Sequence, residues 1–416
     1  MKVGFYACLR SLAAGWTAIG LMGALPEVET REEWRDALQG LDSSLAEERL
    51  ESVEALAARG RDAHGAVPAL IRCIKTDPEL TIRLRAVAAL GKIGQPVEAV
   101  APALLEAGAD PLGPIRHNAA IALSGLPGEA VPLMRDALGD ERPWVRLQAA
   151  RFLLSRDSGA SPPIGILTSL LREPDVEIQA DAALTLGKLE SRAAEAVPAI
   201  SGMLGSDIPK VRRIASHALG RIGPAAKSAA PALRECLIHS DRDVRRDAIA
   251  ALIAIGDTTP ETVESLIEAL ADPQGRVRNQ AVRGLAAIGE PALTAVIRHL
   301  SSPRDVIRSE ACNVLGWMGP VAAPSASELI VCLREDPARQ PRMNAASALG
   351  RIGLATAEIL EELRRARDDT GNHAMIRFHA GQSLVQLTGD PDEAAPSSLY
   401  RLSGEPAVSI ESRESS

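Results

Sequence analysis

The sequence predicts an all-α chain, an α-solenoid in which stacked helix pairs form a right-handed superhelix, and three observations carry that prediction. One helical pattern recurs along most of the 416 residues. Apolar residues make up 46% of the chain but aromatic ones only 2%, so Ala and Leu must fill the interior, which suits helices that approach closely. The apolar content is also too high for disorder, and no glycine period marks a collagen-like chain.

Taken in order, residues 1–26 carry Lys2 and Arg10 ahead of a weakly apolar run ending at Leu25. That layout fits a secretory signal peptide, with a membrane anchor as the alternative, and favours an exported, periplasmic location over a cytoplasmic one. The run is short for a bilayer span, which needs about 20 clearly apolar residues. Residues 27–44, with Trp34, Leu38 and Leu41, are expected to form a lone helix that caps the first repeat. Residues 45–388 hold about eleven repeats. Residues 389–416 contain six acids against two Arg and are expected to be a disordered acidic tail.

The repeat is anchored on Arg49, Arg83, Arg116, Arg146, Gln179, Arg212, Arg245, Arg278, Arg308, Arg342 and Arg377, spaced by 30 to 35 residues. Three positions after the anchor stands Ala in ten copies, with Ser52 the exception, and seven positions after it stands Leu in all eleven. Val or Ile precedes the anchor in nine. These three columns fall on one face of a helix, and Ala leaves room for a neighbouring helix. Asp77, Asp110, Asp207, Asp241 and Asp272 lie where a side chain can accept from the first free amides of that helix. Gly60, Gly94, Gly223, Gly256, Gly289, Gly319 and Gly353 end it. A second helix follows, often with Pro in its first turn, as at Pro68, Pro102, Pro132, Pro198 and Pro231. A unit of this size cannot bury its apolar face alone, so it must stack on copies of itself.

The pattern VRxxAxxALGxIG followed by AxPAL resembles a HEAT repeat of the short bacterial kind named after phycobilisome lyases, and the resemblance covers residues 45–388. It implies either a non-catalytic scaffold that engages a partner protein along the concave face, or, as the alternative, an enzyme or lyase subunit. Deoxyhypusine hydroxylase, built on similar repeats, holds di-iron with His-Glu pairs. None of His64, His117, His217, His239, His299, His373 and His379 is followed by Glu, so that ligand set is missing.

Nothing else in the sequence points to catalysis. There is no GxSxG, HExxH or P-loop, so no catalytic residue, cofactor or metal is expected. His373 and His379 near Asp369 form only a modest cluster. Cys8, Cys73, Cys236, Cys312 and Cys332 contain no CxxC pair and do not have zinc-finger spacing with His; Cys312 and Cys332 share a repeat and could approach each other. The net charge of −8 disfavours nucleic acid as a partner. The charge pattern favours a protein partner, with membrane contact only through the N-terminal segment and the oligomeric state open. The repeated Arg83, Arg116, Arg146, Arg212, Arg245, Arg278, Arg308 and Arg342 are expected to pair with the acidic turns and register the stack. The second helices are expected to build the concave wall, whose solvent-facing column supplies Glu106, Asp136, Glu235, Glu268, Arg298 and Glu361 as the partner-binding residues.

Overall fold

The computed structural model describes residues 36–156 and 162–394. The expected signal segment 1–26, the start of the expected capping helix with Trp34, and residues 395–416 of the expected tail lie outside the described residues. The chain divides into two compact units, up to Ala130 and from Val131. After a helical turn at 36–40, the first unit contains α1 (Ala46–Arg59), α2 (Val67–Thr76), α3 (Leu80–Ile93), α4 (Val97–Ala107) and α5 (Gly113–Gly125). The second begins with α6 (Val131–Ala137), α7 (Pro143–Ser155), α8 (Ile164–Leu170), α9 (Val176–Lys188), α10 (Val197–Met203), α11 (Pro209–Ile222), α12 (Ala230–Glu235) and α13 (Arg242–Ala254). It continues with α14 (Pro260–Ala269), α15 (Gly275–Ile288), α16 (Glu290–Arg298), α17 (Asp305–Met318), α18 (Ala326–Glu335), α19 (Arg339–Ile352), α20 (Ala357–Asp368) and α21 (Ala374–Thr388). The odd helices carry the anchor residues. Together the elements form an all-α solenoid.

The three apolar columns of the odd helices are buried. All ten Ala of the +3 column are sealed from solvent, and ten of the eleven Leu are buried, Leu153 being half-buried. From Ile178 onward these side chains join one continuous core that runs from Leu147 to Leu384. At the helix ends, the seven repeated Gly adopt φ between 55° and 76°, a region that side chains with a Cβ avoid. Pro102, expected in a first turn, falls inside α4 because that helix already starts at Val97.

Two expectations about the unit change. Each even helix packs more closely against the odd helix that follows it than against the one before, so the hairpin closes across the acidic turn. The 3-10 segments after the Gly, such as Gly60–Ala66 and Gly223–Ala229, are the links between hairpins. The Asp of the turn also acts mainly one turn early. The Oδ1 atoms of Asp77, Asp110 and Asp272 accept from the amides two residues on, while Asp241 is a true N-cap. At Asp207 the neighbouring Ser206 hydroxyl takes that role. The stretch Asp305–Glu335 is apolar enough to cross a bilayer by composition, but it is two helices broken at Gly319, whose φ is 61°. At the other end, the first residues of the expected tail form a 3-10 turn, Pro391–Glu393, and Glu393 pairs with Arg364 and Arg367.

Candidate protein-binding face

The anchor residues hold the stack together through two contacts. One is local: the guanidinium donates to backbone carbonyls of the preceding turn, as Arg245 does to His239 and Ser240 at 2.8 and 3.0 Å. The other reaches the next acidic turn. Arg245 binds Asp272 through two bonds of 2.6 and 2.9 Å, and Arg308 binds Asp336 at 2.7 and 2.9 Å. Arg49 meets Asp77 at 2.8 Å, Arg83 meets Asp110 at 2.6 Å and Arg146 meets Glu173 at 2.7 Å. Arg278 is 3.5 Å from Glu310, Arg342 donates to Asn372, and Arg116 and Arg212 donate to carbonyls of Asp110 and Ser206. Burial alone would push the Asp272 carboxyl up, but bonds from Arg245 and the Gln274 amide outweigh it and hold it below the usual carboxylate value. Asp336 is held down in the same way by Arg308 and the Ala338 amide. These guanidinium groups are committed to the stack.

The two rows of helices differ in spacing. Neighbouring odd helices approach more closely than neighbouring even helices, in the first unit and from α9 onward in the second. The cause is a column of glycine facing a column of small residues. A Cβ on Gly187 or Gly316 would sit 3.2 Å from the Cα of Ala218 or Ala348 on the next odd helix, and one on Gly350 would sit 2.9 Å from the Cα of Ser383. In a curved stack the row whose helices approach more closely lies on the inner side, which makes the odd helices the candidate inner wall of each unit.

The expected site residues stand on the other row. Glu106, Asp136, Glu235, Glu268, Arg298 and Glu361 are all exposed, but they stand on even helices, on the outer row. Several are engaged locally: Glu106 with Lys75 at 2.7 Å, Glu268 with Arg304, Arg298 with Glu264, and Glu361 with Arg365 at 4.0 Å. Period alone does not say which row is inner. The recurring Gly eight residues after the anchor could have, because small residues mark the tighter side.

On the inner wall, ion pairs step from one odd helix to the next: Arg151 to Asp181 at 3.0 Å, Lys210 to Glu177 at 2.5 Å, and Arg213 to Asp247 at 2.8 Å. Trp317 projects from α17 with 59% of its surface exposed, and the Arg351 guanidinium of α19 lies 5.6 Å from its ring centre. Trp144, half-buried at the start of α7, donates to Asp175.

No catalytic cluster accompanies this face. Among the described residues no three His, Cys, Asp or Glu side chains are grouped to hold a metal. His373 caps α21 and contacts Arg339, whereas His379 bonds Ser347, so the two do not converge. Cys312 and Cys332 are thiols with sulfurs 3.7 Å apart. The Cys332 thiol, together with burial, holds the Cys312 thiol well above its ordinary range, the opposite of an activated nucleophile.

The description of HEAT repeats matches residues 35–124, 164–254 and 263–329, more than half of the chain. The chain belongs to the HEAT-repeat family. Residues 244–272 of this HEAT protein also match the phycobilisome-lyase HEAT-like repeat. Comparison with curated proteins gives no match. Among solved structures, the karyopherin Kap121p bound to the extreme C-terminus of the protein phosphatase Cdc14p is similar, with a TM-score of 0.64 at 14% identity over 88% of this chain and 45% of that one. Kap121p bound to Pho4p gives 0.63 at 14% identity over 86% and 45%, and Kap121p bound to RanGTP gives 0.60 at 14% over 91% and 46%. The HEAT chain spans less than half the length of these karyopherins, and at such identity the likeness is one of fold.

Proposed function

We propose that this HEAT-repeat chain is a non-catalytic scaffold that holds a partner protein against the inner wall of its odd helices. The observation that carries the reading is Trp317. In a chain with so few rings, a Trp left mostly in water with a guanidinium stacked beside it has the character of an interface anchor, since Trp and Arg dominate interface energetics. The solved karyopherins of similar fold are, by their descriptions, bound to proteins, which supports the same use of the fold here. The lyase reading keeps one supporting observation, the phycobilisome-lyase-like repeat at 244–272.

A tagged pull-down from the native host, with mass spectrometry of all retained proteins and small molecules, tests both readings. Trp317→Ala and Arg351→Ala should lose the partner, while the outer-row variant Glu235→Lys/Glu268→Lys should keep it. Retention of every partner by the Trp317 and Arg351 variants sinks the inner-wall site. A bound pigment without a protein partner would instead bring the lyase reading forward.

A further inference from the structure

On the inner wall, α9, α11 and α13 enclose a groove of about 610 Å³ that no part of the stacking scheme requires. Its floor is aliphatic and low: Leu184, Ile214, Gly220, Ala250 and Ala254. Its rim holds Lys210, Arg213, Arg221 and Arg246 against a single carboxylate, Asp247. We propose that this groove receives an acidic segment of a partner protein, with Asp or Glu side chains on the cationic rim and small aliphatic side chains on the floor. The proposal rests on the scaffold reading and names the chemistry of its partner.

Charge complementarity is the main argument. The whole chain carries a formal charge of −8, yet the lining here holds four cations and one acid, and with Glu177 and Asp243 counted at its edge the cations still outnumber the carboxylates. Asp247 is already shared, at 2.8 Å from Arg213 and 2.7 Å from Arg246, so one carboxylate serves two guanidinium groups that keep further donors free. Arg246 also meets Asp243 at 2.8 Å. Arg221 is exposed on the last turn of α11 and makes no ion pair among the described residues. None of these arginines is an anchor residue, and Arg221 can turn toward a ligand without breaking an ion pair between helices.

The floor explains why a polypeptide fits. The close approach of Gly220 to Ala251, whose Cα would lie 3.4 Å from an added Cβ, draws α11 and α13 together and leaves no bulky side chain between the rims. An extended backbone can therefore lie near the helices. Two helix spacings of roughly 8–10 Å each accommodate about five or six extended residues at about 3.3 Å apiece. A nucleic acid would look for a row of large rings on which to stack its bases, and no Phe, Tyr or Trp lines this groove, His217 being its one ring.

The test is fluorescence anisotropy on the full chain with a labelled peptide, Glu-Leu-Asp-Ala-Glu-Leu-Asp-Ala, at low and high salt. The expected result is salt-sensitive binding, absent for the same peptide with Lys in place of every acid. Arg221→Glu and Ala254→Glu should each weaken it on the order of tenfold, and Ala254→Lys should strengthen it. Both positions are exposed, and unchanged circular dichroism and melting will confirm that the variants fold. Failure of the acidic peptide to bind, or binding that ignores all three substitutions, overturns the proposal. Tighter binding of oligothymidylate with the same sensitivity to the variants overturns it too, in favour of nucleic acid. If the peptide fails while the host partner is still lost from the Trp317→Ala variant, the groove is wrong and the scaffold reading stands.

Discussion

The joints from α9 to α13 and the two joints from α13 to α15 and from α17 to α19 share the same sealed Leu and Ala columns, yet they differ at one position of the turn. In the later stretch Asp272 and Asp336 bind the amide two residues on and, at the same time, the guanidinium of Arg245 or Arg308. In the earlier stretch the equivalent residues are Ser206 and His239. They also accept from the amide two residues on, at 3.2 and 2.9 Å, but offer the anchor no carboxylate. Gln179 and Arg212 there donate to the carbonyls of Glu173 and Ser206, with Arg212 also beside the Cys236 thiol. The turn and the rung are thus separable jobs, and the carboxylate performs both where it is present.

The largest effect should be common to both stretches. Leu219→Ala and Leu252→Ala each remove a side chain with no exposed surface and should cost about 2–5 kcal/mol, measured by equilibrium unfolding in urea. A loss at one position only would show that the cores, and not just the rungs, differ. The rungs themselves separate next. Arg245→Ala strands the buried Asp272 and should cost about 3 kcal/mol, whereas Arg212→Ala strands no carboxylate and should cost about 1 kcal/mol. Equal losses would mean that the carboxylate contributes nothing beyond its turn.

Acid should loosen the later stretch selectively. The folded-state carboxyls of Asp272 and Asp336 are held below their ordinary value, so their contribution is full above the unfolded pKa and is lost as pH falls through the folded one. Hydrogen exchange at Gln274 and Ala338 should therefore speed up below about pH 4, while that at Ile208, held by the Ser206 hydroxyl, keeps its pace. The smallest effect is a gain. His239→Asp retains an acceptor for the Asp241 amide and gives Arg212 a carboxylate, which should add up to about 1 kcal/mol in thermal unfolding. No gain would indicate that Arg212 cannot reach the turn.

The fold was legible because its signal is redundant. Val or Ile, Ala and Leu at fixed offsets from each Arg state the buried face of α3, α11 or α15 many times over, and Gly223 or Gly289 states the end of the helix. The partner of each anchor was harder to place, since Asp272 serves both the turn before α15 and the rung from α13. The two rows could not be told apart by apolar period, which is the same for both, and only the small residues at Gly187, Gly220 and Gly316 distinguish them. Trp317 and the groove at Arg213 and Arg221 lie at positions where the repeat does not repeat. A period-based reading averages such residues away, although they are where one unit differs from the next.

The two-ended anchor has a consequence for how such a chain can lengthen or shorten. The near end of Arg245 is made within its own turn, at His239 and Ser240, while the far end is supplied by whichever turn follows the next even helix. Excising a segment from one anchor to the next would leave every near end intact and hand each far end a new but equivalent acceptor. A cut out of phase would separate an anchor from its own carbonyls and mismatch two rows at once. Duplication and loss in whole units are thereby the tolerated edits, and a turn with Ser206 or His239 in the acidic place is a seam at which a newly joined unit has fewer bonds to match.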